Sequence, residues 1–163
     1  MRVVLVRHGY AGRKDRWSRA DELRPLSPRG KRQAEALAVA LATLKPTRII
    51  SSSHVRCIQT MEPLAQRMHL DIEPSRALLP DVPLKALALV LEVSDTQSEG
   101  GVVVCTHGEV MGSVLVELSR RDGVELEHRP PGLKGCAWIL EMQPHKLVSA
   151  RYVAPGDQPA SAE

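Results

Sequence analysis

Three short stretches of this chain carry residue types that could do chemistry together: Arg7-His8-Gly9, Ser51-Ser52-Ser53 with Arg56 close behind, and Thr106-His107-Gly108. Two guanidinium forks and two imidazoles describe a site for a tetrahedral oxyanion, because arginine binds phosphate oxygens bidentately and stays charged at all relevant pH. Phosphate is the natural candidate. A neutral imidazole can also attack phosphorus when its other ring nitrogen is held in one tautomer, giving a phosphohistidine that water later cleaves. The second histidine and the arginine pair would then hold the equatorial oxygens as charge redistributes. Gly9 and Gly108 follow the two histidines and would let the backbone pass close to the ligand. Singly, each stretch also reads as an ordinary loop with a hydrogen-bonded histidine; the conjunction carries the functional reading.

The elements that must position these residues are legible from apolar runs and turn residues. Val3–Val6 is a run of branched apolar residues suited to a strand covered on both faces. A polar loop follows, then "LSPRGKRQAEALAVALATL", where Ser27 can cap, Pro28 opens a helix, and Ala34, Leu37, Ala38, Leu41 and Leu44 recur at helical spacing. "TRIISSS" predicts a second strand and "VRCIQTMEPLAQRM" a second helix, which Pro63 is expected to kink or break. "DIEP" reads as a short edge strand, "PLKALALVLEVSD" as a third helix, and "VVVCTHG" as another buried strand ending in His-Gly. "EVMGSVLVELSRRDG" predicts a helix stopped by Gly123, and "GCAWILEM" with "KLVSARYV" an antiparallel hairpin across "QPH". Strands alternating with helices predict an α/β fold: a three-layer α/β/α sandwich with a mostly parallel sheet and an antiparallel edge. The three motifs then end parallel strands on the same side, where such folds bind ligands.

The 163 residues suffice for one domain with a real core, here expected over residues 1–153 with a disordered tail at 154–163. There is no Phe, so Leu, Val, Ile, Ala and Met must fill that core. Cys57, Cys105 and Cys136 follow no zinc or redox spacing, which points to reduced thiols acting as small core residues in a cytoplasmic protein. Only four apolar residues separate Arg2 from the next charge, too few for a signal-peptide core, and no later run approaches a membrane span. Net charge is +3, but residues 13–32 alone hold eight Lys or Arg against three acids, a local +5. That segment directly follows the first motif, so Arg24 and its basic neighbours are expected at the rim of the site, attracting anionic substrate. Nucleic-acid binding would want stacking aromatics among those charges, and only Trp17 is there. The chain contains no P-loop, no His-Glu-x-x-His or paired-cysteine metal motif and no Gly-x-Ser-x-Gly elbow, so neither metal nor cofactor is expected.

"VLVRHG", "SSSHVRCIQT" and "VVVCTHGEV" resemble the histidine phosphatase superfamily, the phosphoglycerate mutase-like fold, and short chains of this kind resemble the SixA-type phosphohistidine phosphatases. "LRPLSPRGKRQAEAL", "RCIQTMEPLA", "RRDGVE" and "LKGCAWIL" also resemble the C-terminal half of actinobacterial two-domain Nudix hydrolases that act on nucleoside polyphosphates. Without a Nudix half ahead of it, the chain is expected to share fold and phosphate chemistry with those proteins rather than their nucleotide substrate. The resemblance implies His8 as nucleophile, Arg7 and Arg56 as phosphate clamps and His107 as the second phosphate-binding histidine. It also implies a general acid, with Asp81 after "LLP" the candidate, Glu109 the alternative, and no dedicated acid the third option, as in SixA-type relatives. The expected activity is a metal-independent phosphatase acting on a phosphomonoester, phosphohistidine protein or nucleotide. A phosphate-binding regulatory module with little turnover is the alternative; a mutase would want larger substrate-enclosing insertions.

Overall fold

The computed structural model describes residues 1–96 and 99–156. Among these residues six strands form one mixed sheet: β1 (Arg2–Arg7), β2 (Arg48–Ser51), β3 (Ile72–Pro74), β4 (Val102–Thr106), β5 (Ala137–Gln143) and β6 (Lys146–Val153). They lie in the order β3-β2-β4-β1-β5-β6. β3, β2, β4 and β1 are mutually parallel, while β5 and β6 make the antiparallel edge. The four long helices among the described residues are α1 (Pro28–Ala42), α2 (Val55–Met68), α3 (Pro83–Ser94) and α4 (Gly108–Asp122).

Alternation along the strands divides the core in two. Val4, Val6, Ile49, Val103 and Cys105 face Leu37, Ala38 and Leu41 of α1 and Met61 and Leu64 of α2. Val3, Leu5, Ile50, Val102 and Val104 face Ala86 and Val90 of α3 and Val110, Met111 and Leu115 of α4. The sheet is therefore covered on both sides, the three-layer arrangement its apolar runs predict. Trp138 of β5 is fully buried in the second cluster, and its indole nitrogen donates to the Pro131 carbonyl at 2.9 Å, so this large ring leaves no polar atom unsatisfied. Cys57, Cys105 and Cys136 are buried free thiols.

Local signals set the helix ends. Ser27 Oγ accepts from the Gly30 N–H at 3.2 Å, and Pro28 occupies the first helical position of α1. Gly123 ends α4 in the left-handed conformation, at φ 69°. Pro63 does not break α2, which runs unbroken through it. Met61, Leu64 and Ala65 bury that turn against the sheet, and their burial offsets the hydrogen bond the proline cannot make. The polar loop after β1 contains two single 3₁₀ turns, Lys14–Arg16 and Asp21–Leu23, that no apolar period announces. Pro155 is buried; the rest of the expected tail, from residue 157, lies outside the described residues. Among the described residues no helix is long and apolar enough to cross a membrane.

Candidate active site

Because β1, β2 and β4 are parallel, the residues that follow them emerge on one edge of the sheet. His8, Arg56 and His107 converge there, each at most 6 % exposed. The rings of His8 and His107 meet edge to face with centroids 5.4 Å apart, and His54 lies edge-on to His107 on centroids 4.8 Å apart. The N-termini of α2 and α4 open at the same edge, with His54 and His107 as their cap residues, so unpaired N–H groups add positive potential.

The His8 tautomer follows from its partner. Nδ1 lies 2.8 Å from the Gly9 carbonyl oxygen, which can only accept, so Nδ1 carries the proton and Nε2 keeps its lone pair. Burial, with further help from the charges of His107, Arg56 and Arg7, lowers the His8 pKa to about 3 against the Gly9 hydrogen bond that works to raise it. The ring is thus neutral at physiological pH. Gly9 is itself fixed: its N–H donates to Thr60 Oγ1 at 3.0 Å, and that hydroxyl donates to the Arg56 carbonyl at 2.6 Å.

His107 is oriented from two sides. Arg56 Nη2 lies 3.5 Å from His107 Nδ1, the outer limit of a hydrogen bond. On the other side Nε2 is hydrogen-bonded to Ser52 Oγ at 2.9 Å, with Cys57 Sγ 3.7 Å away. Arg56 in turn is held by Asp21, donating from Nη1 to its carbonyl at 2.8 Å and from Nη2 to its carboxylate at 3.0 Å. Arg7 donates from Nη1 to the Gly132 carbonyl at 2.5 Å. Arg7 Nε and Arg56 Nε are both buried without a hydrogen-bond partner among the described residues.

The remaining expected residues are placed less centrally. Arg24 is buried, and its Nε is engaged by the Asp21 carboxylate and its Nη1 by the carbonyls of Ala11 and Gly12, so it closes the loop after β1. Gly108 opens α4 against Arg7: a Cβ there would lie 2.7 Å from the guanidinium carbon. Asp81 is exposed in the turn before α3, near enough for its charge to act on His54, whose pKa burial and the neighbouring His107 and Arg56 bring down to about 4. Glu109 is exposed in the first turn of α4. Among the described residues no group of three or more His, Cys, Asp or Glu could hold a metal ion.

Three participants are not among the residues expected at the site. Asp21 is only one of three acids in a basic segment, yet it pairs with Arg24 and Arg56. Burial works to raise its pKa; the Arg24 hydrogen bond and the charges of Arg56, Arg24 and Lys14 overcome that and hold it low. His54 follows the serines of the second motif, and its significance lies in a ring contact no spacing rule encodes. Lys134 arrives from just before β5, 126 residues beyond His8 in sequence, so only the β1–β5 pairing brings it near.

Residues 3–80, which include Arg7, His8, Ser52 and Arg56, match the histidine phosphatase superfamily (branch 1). A curated protein of Mycolicibacterium smegmatis, an 8-oxo-(d)GTP phosphatase, is 35 % identical over 160 residues. That alignment takes in 96 % of this chain but 49 % of the relative, so the chain spans about half the length of that protein. Among solved structures, the protein histidine phosphatase SixA complexed with tungstate superposes with a TM-score of 0.77 at 22 % identity, covering 95 % of this chain and 97 % of SixA. A mycobacterial glucosyl-3-phosphoglycerate phosphatase superposes with a TM-score of 0.70 at 20 % identity, over 93 % of this chain and 96 % of that one. The sequence match takes in the first two motifs and the shared fold runs on through the strand that delivers His107, so the chain is similar in sequence to the histidine phosphatase superfamily over residues 3–80 and shares the fold of these phosphatases over nearly its whole length.

Proposed function

We propose that this chain is a phosphatase that works through a covalent phosphohistidine on His8. The observation that carries the reading is the His8 tautomer: with the proton held at Nδ1 by the Gly9 carbonyl, Nε2 presents a lone pair in a dry, cationic crevice. In the first step Nε2 attacks phosphorus and the bond to the leaving oxygen, or to the leaving nitrogen of a phosphohistidine, breaks, that atom taking the electron pair. Arg7, Arg56 and His107 hold the equatorial oxygens; the two orphaned Nε donors are groups a tetrahedral oxyanion would satisfy. In the second step water attacks the phosphorus, the P–N bond breaks, inorganic phosphate leaves and His8 is regenerated.

Asp81 is the candidate acid for the leaving oxygen, at the exposed rim on the His54 side. Terminal phosphates of a phosphomonoester, a phosphohistidine protein or a nucleotide all present the same group to this clamp. The name of the Mycolicibacterium relative favours a nucleotide, and that of SixA a phosphohistidine protein.

Incubating the protein with p-nitrophenyl phosphate and quenching rapidly should trap an acid-labile, base-stable phosphoryl adduct on His8. His8→Ala should abolish both adduct and turnover, and Asp81→Asn should slow alkyl phosphates, with their poor leaving groups, more than the aryl ester. Turnover persisting in His8→Ala refutes the nucleophile assignment, and phosphate binding without turnover by the unmutated chain would favour the regulatory-module reading.

A further inference from the structure

A cavity of about 320 Å³ opens beside Arg7, with Tyr10, Arg29, Gln33, Lys134 and Pro155 among the residues lining it. Arg7 belongs both to this cavity and to the crevice around His8. Over the Tyr10 ring lie two cations, the Arg29 guanidinium at 5.4 Å and the Lys134 ammonium at 5.2 Å from its centroid. Lys134 sits on an anchored backbone: its carbonyl accepts from Gln33 Nε2 at 3.1 Å, and the next residue, Gly135, donates its N–H to the carbonyls of His8 at 3.0 Å and Arg7 at 3.2 Å. The loop carrying this lysine is therefore tied to the end of the strand that delivers the nucleophile.

No carboxylate pairs with Lys134 among the described residues. Its pKa is lowered by burial and then by the charges of Arg7, Arg24 and Arg56. A fourth cation has thus been placed in the field of three guanidiniums, and among the described residues Asp21 is the one carboxylate paired to any of them. In the free protein that placement is unfavourable; a bound anion carrying more charge than a single phosphate reverses its sign.

We propose that the Tyr10–Arg29–Lys134 cavity is a second anion subsite, which takes the next phosphate of substrates whose reacting phosphate is joined to another through a phosphoanhydride. The proposal rests on the reading of His8 and its clamp as the site of the reacting phosphate. The three cations at this cavity, Arg7, Arg29 and Lys134, suit phosphate better than a nucleobase, because the Tyr10 ring on which a base would stack is already engaged by two of them. Lys134 and Arg29 would thereby set a preference for nucleoside di- or triphosphates over simple phosphomonoesters.

Calorimetric titration of the full chain carrying His8→Ala, which prevents turnover, compares inorganic pyrophosphate with inorganic phosphate. Pyrophosphate should bind at least tenfold more tightly. Lys134→Met, which keeps the aliphatic stem, should bring the ratio to within about twofold, and Lys134→Arg should restore it. A ratio near one in the parent protein, or a ratio that survives Lys134→Met combined with Arg29→Met, overturns the subsite. Thermal unfolding of each variant identifies one that fails to fold, and the parent ratio then decides. Failure of the phosphatase reading appears separately, as no release of p-nitrophenol by the unmutated chain, and leaves the two anion affinities measurable.

Discussion

A neutral, buried His8 makes the stability of this fold depend on pH in a way that can be worked out beforehand. The ring titrates near 6.5 when unfolded and at about 3 in the folded chain. As pH falls the unfolded state takes up the proton first, so the folded state loses stability between pH 6.5 and 3 and keeps the full contribution above that range. The slope approaches about 1.4 kcal/mol per pH unit, which integrates to about 2.5 kcal/mol between pH 7 and pH 4.5. His8→Asn removes this titration, while its side-chain amide can still donate to the Gly9 carbonyl as Nδ1 does. Urea unfolding of both proteins at several pH values across this interval measures the difference. The unmutated protein should lose about 2.5 kcal/mol more than the variant on going from pH 7 to 4.5; contributions from carboxylates and from His54 are common to both and cancel. Parallel stability curves would refute the argument, since they would mean that His8 protonates as easily folded as unfolded, and its Nε2 would then not be a free nucleophile at mildly acidic pH.

Two further substitutions test how the clamp is positioned. Gly108→Ala places a methyl 2.7 Å from the Arg7 guanidinium carbon, so Arg7 must leave its contact with the Gly132 carbonyl; kcat for p-nitrophenyl phosphate should fall tenfold or more with the melting temperature little changed, and an unaltered kcat would remove Arg7 from the chemistry. Asp21→Asn takes away the charge that holds Arg56 and Arg24; with the Asp21 side chain 29 % exposed, the stability loss should be about 1–2 kcal/mol rather than the 3–5 of a fully buried pair. Its kcat should drop more than KM changes, with partial rescue by Asp21→Glu, and a stability loss without a rate loss would make Asp21 purely structural.

The layers and the three motif-bearing strand ends were legible because they rest on local free energies. Val3–Val6 and Val102–Cys105 cannot be exposed on either face, Ser27 and Gly123 suit the ends of a helix, and parallel strands necessarily deliver their C-terminal residues to one edge. Pro63 shows the limit of that reasoning: its intrinsic preference argues for a break, and burial of the surrounding turn carries the helix through it. The basic segment shows another, since a +5 count cannot say which charges meet solvent; Arg24 is consumed within its own loop by Asp21 and two carbonyls.

By itself, then, the sequence determined which residues are candidates to bind and attack phosphate and which strands would present them, because both follow from residue type and short-range pattern. Only the tertiary structure decided how those groups are tuned. The Asp21–Arg56 pair, the Ser52–His107 hydrogen bond, the bonds from Gly135 to Arg7 and His8, and the arrival of Lys134 beside Tyr10 all join residues distant in the chain. Tautomer, charge state and partner are properties of distance through space, which no periodicity or propensity along the chain encodes, and packing the helices and the β5 edge onto one sheet sets those distances.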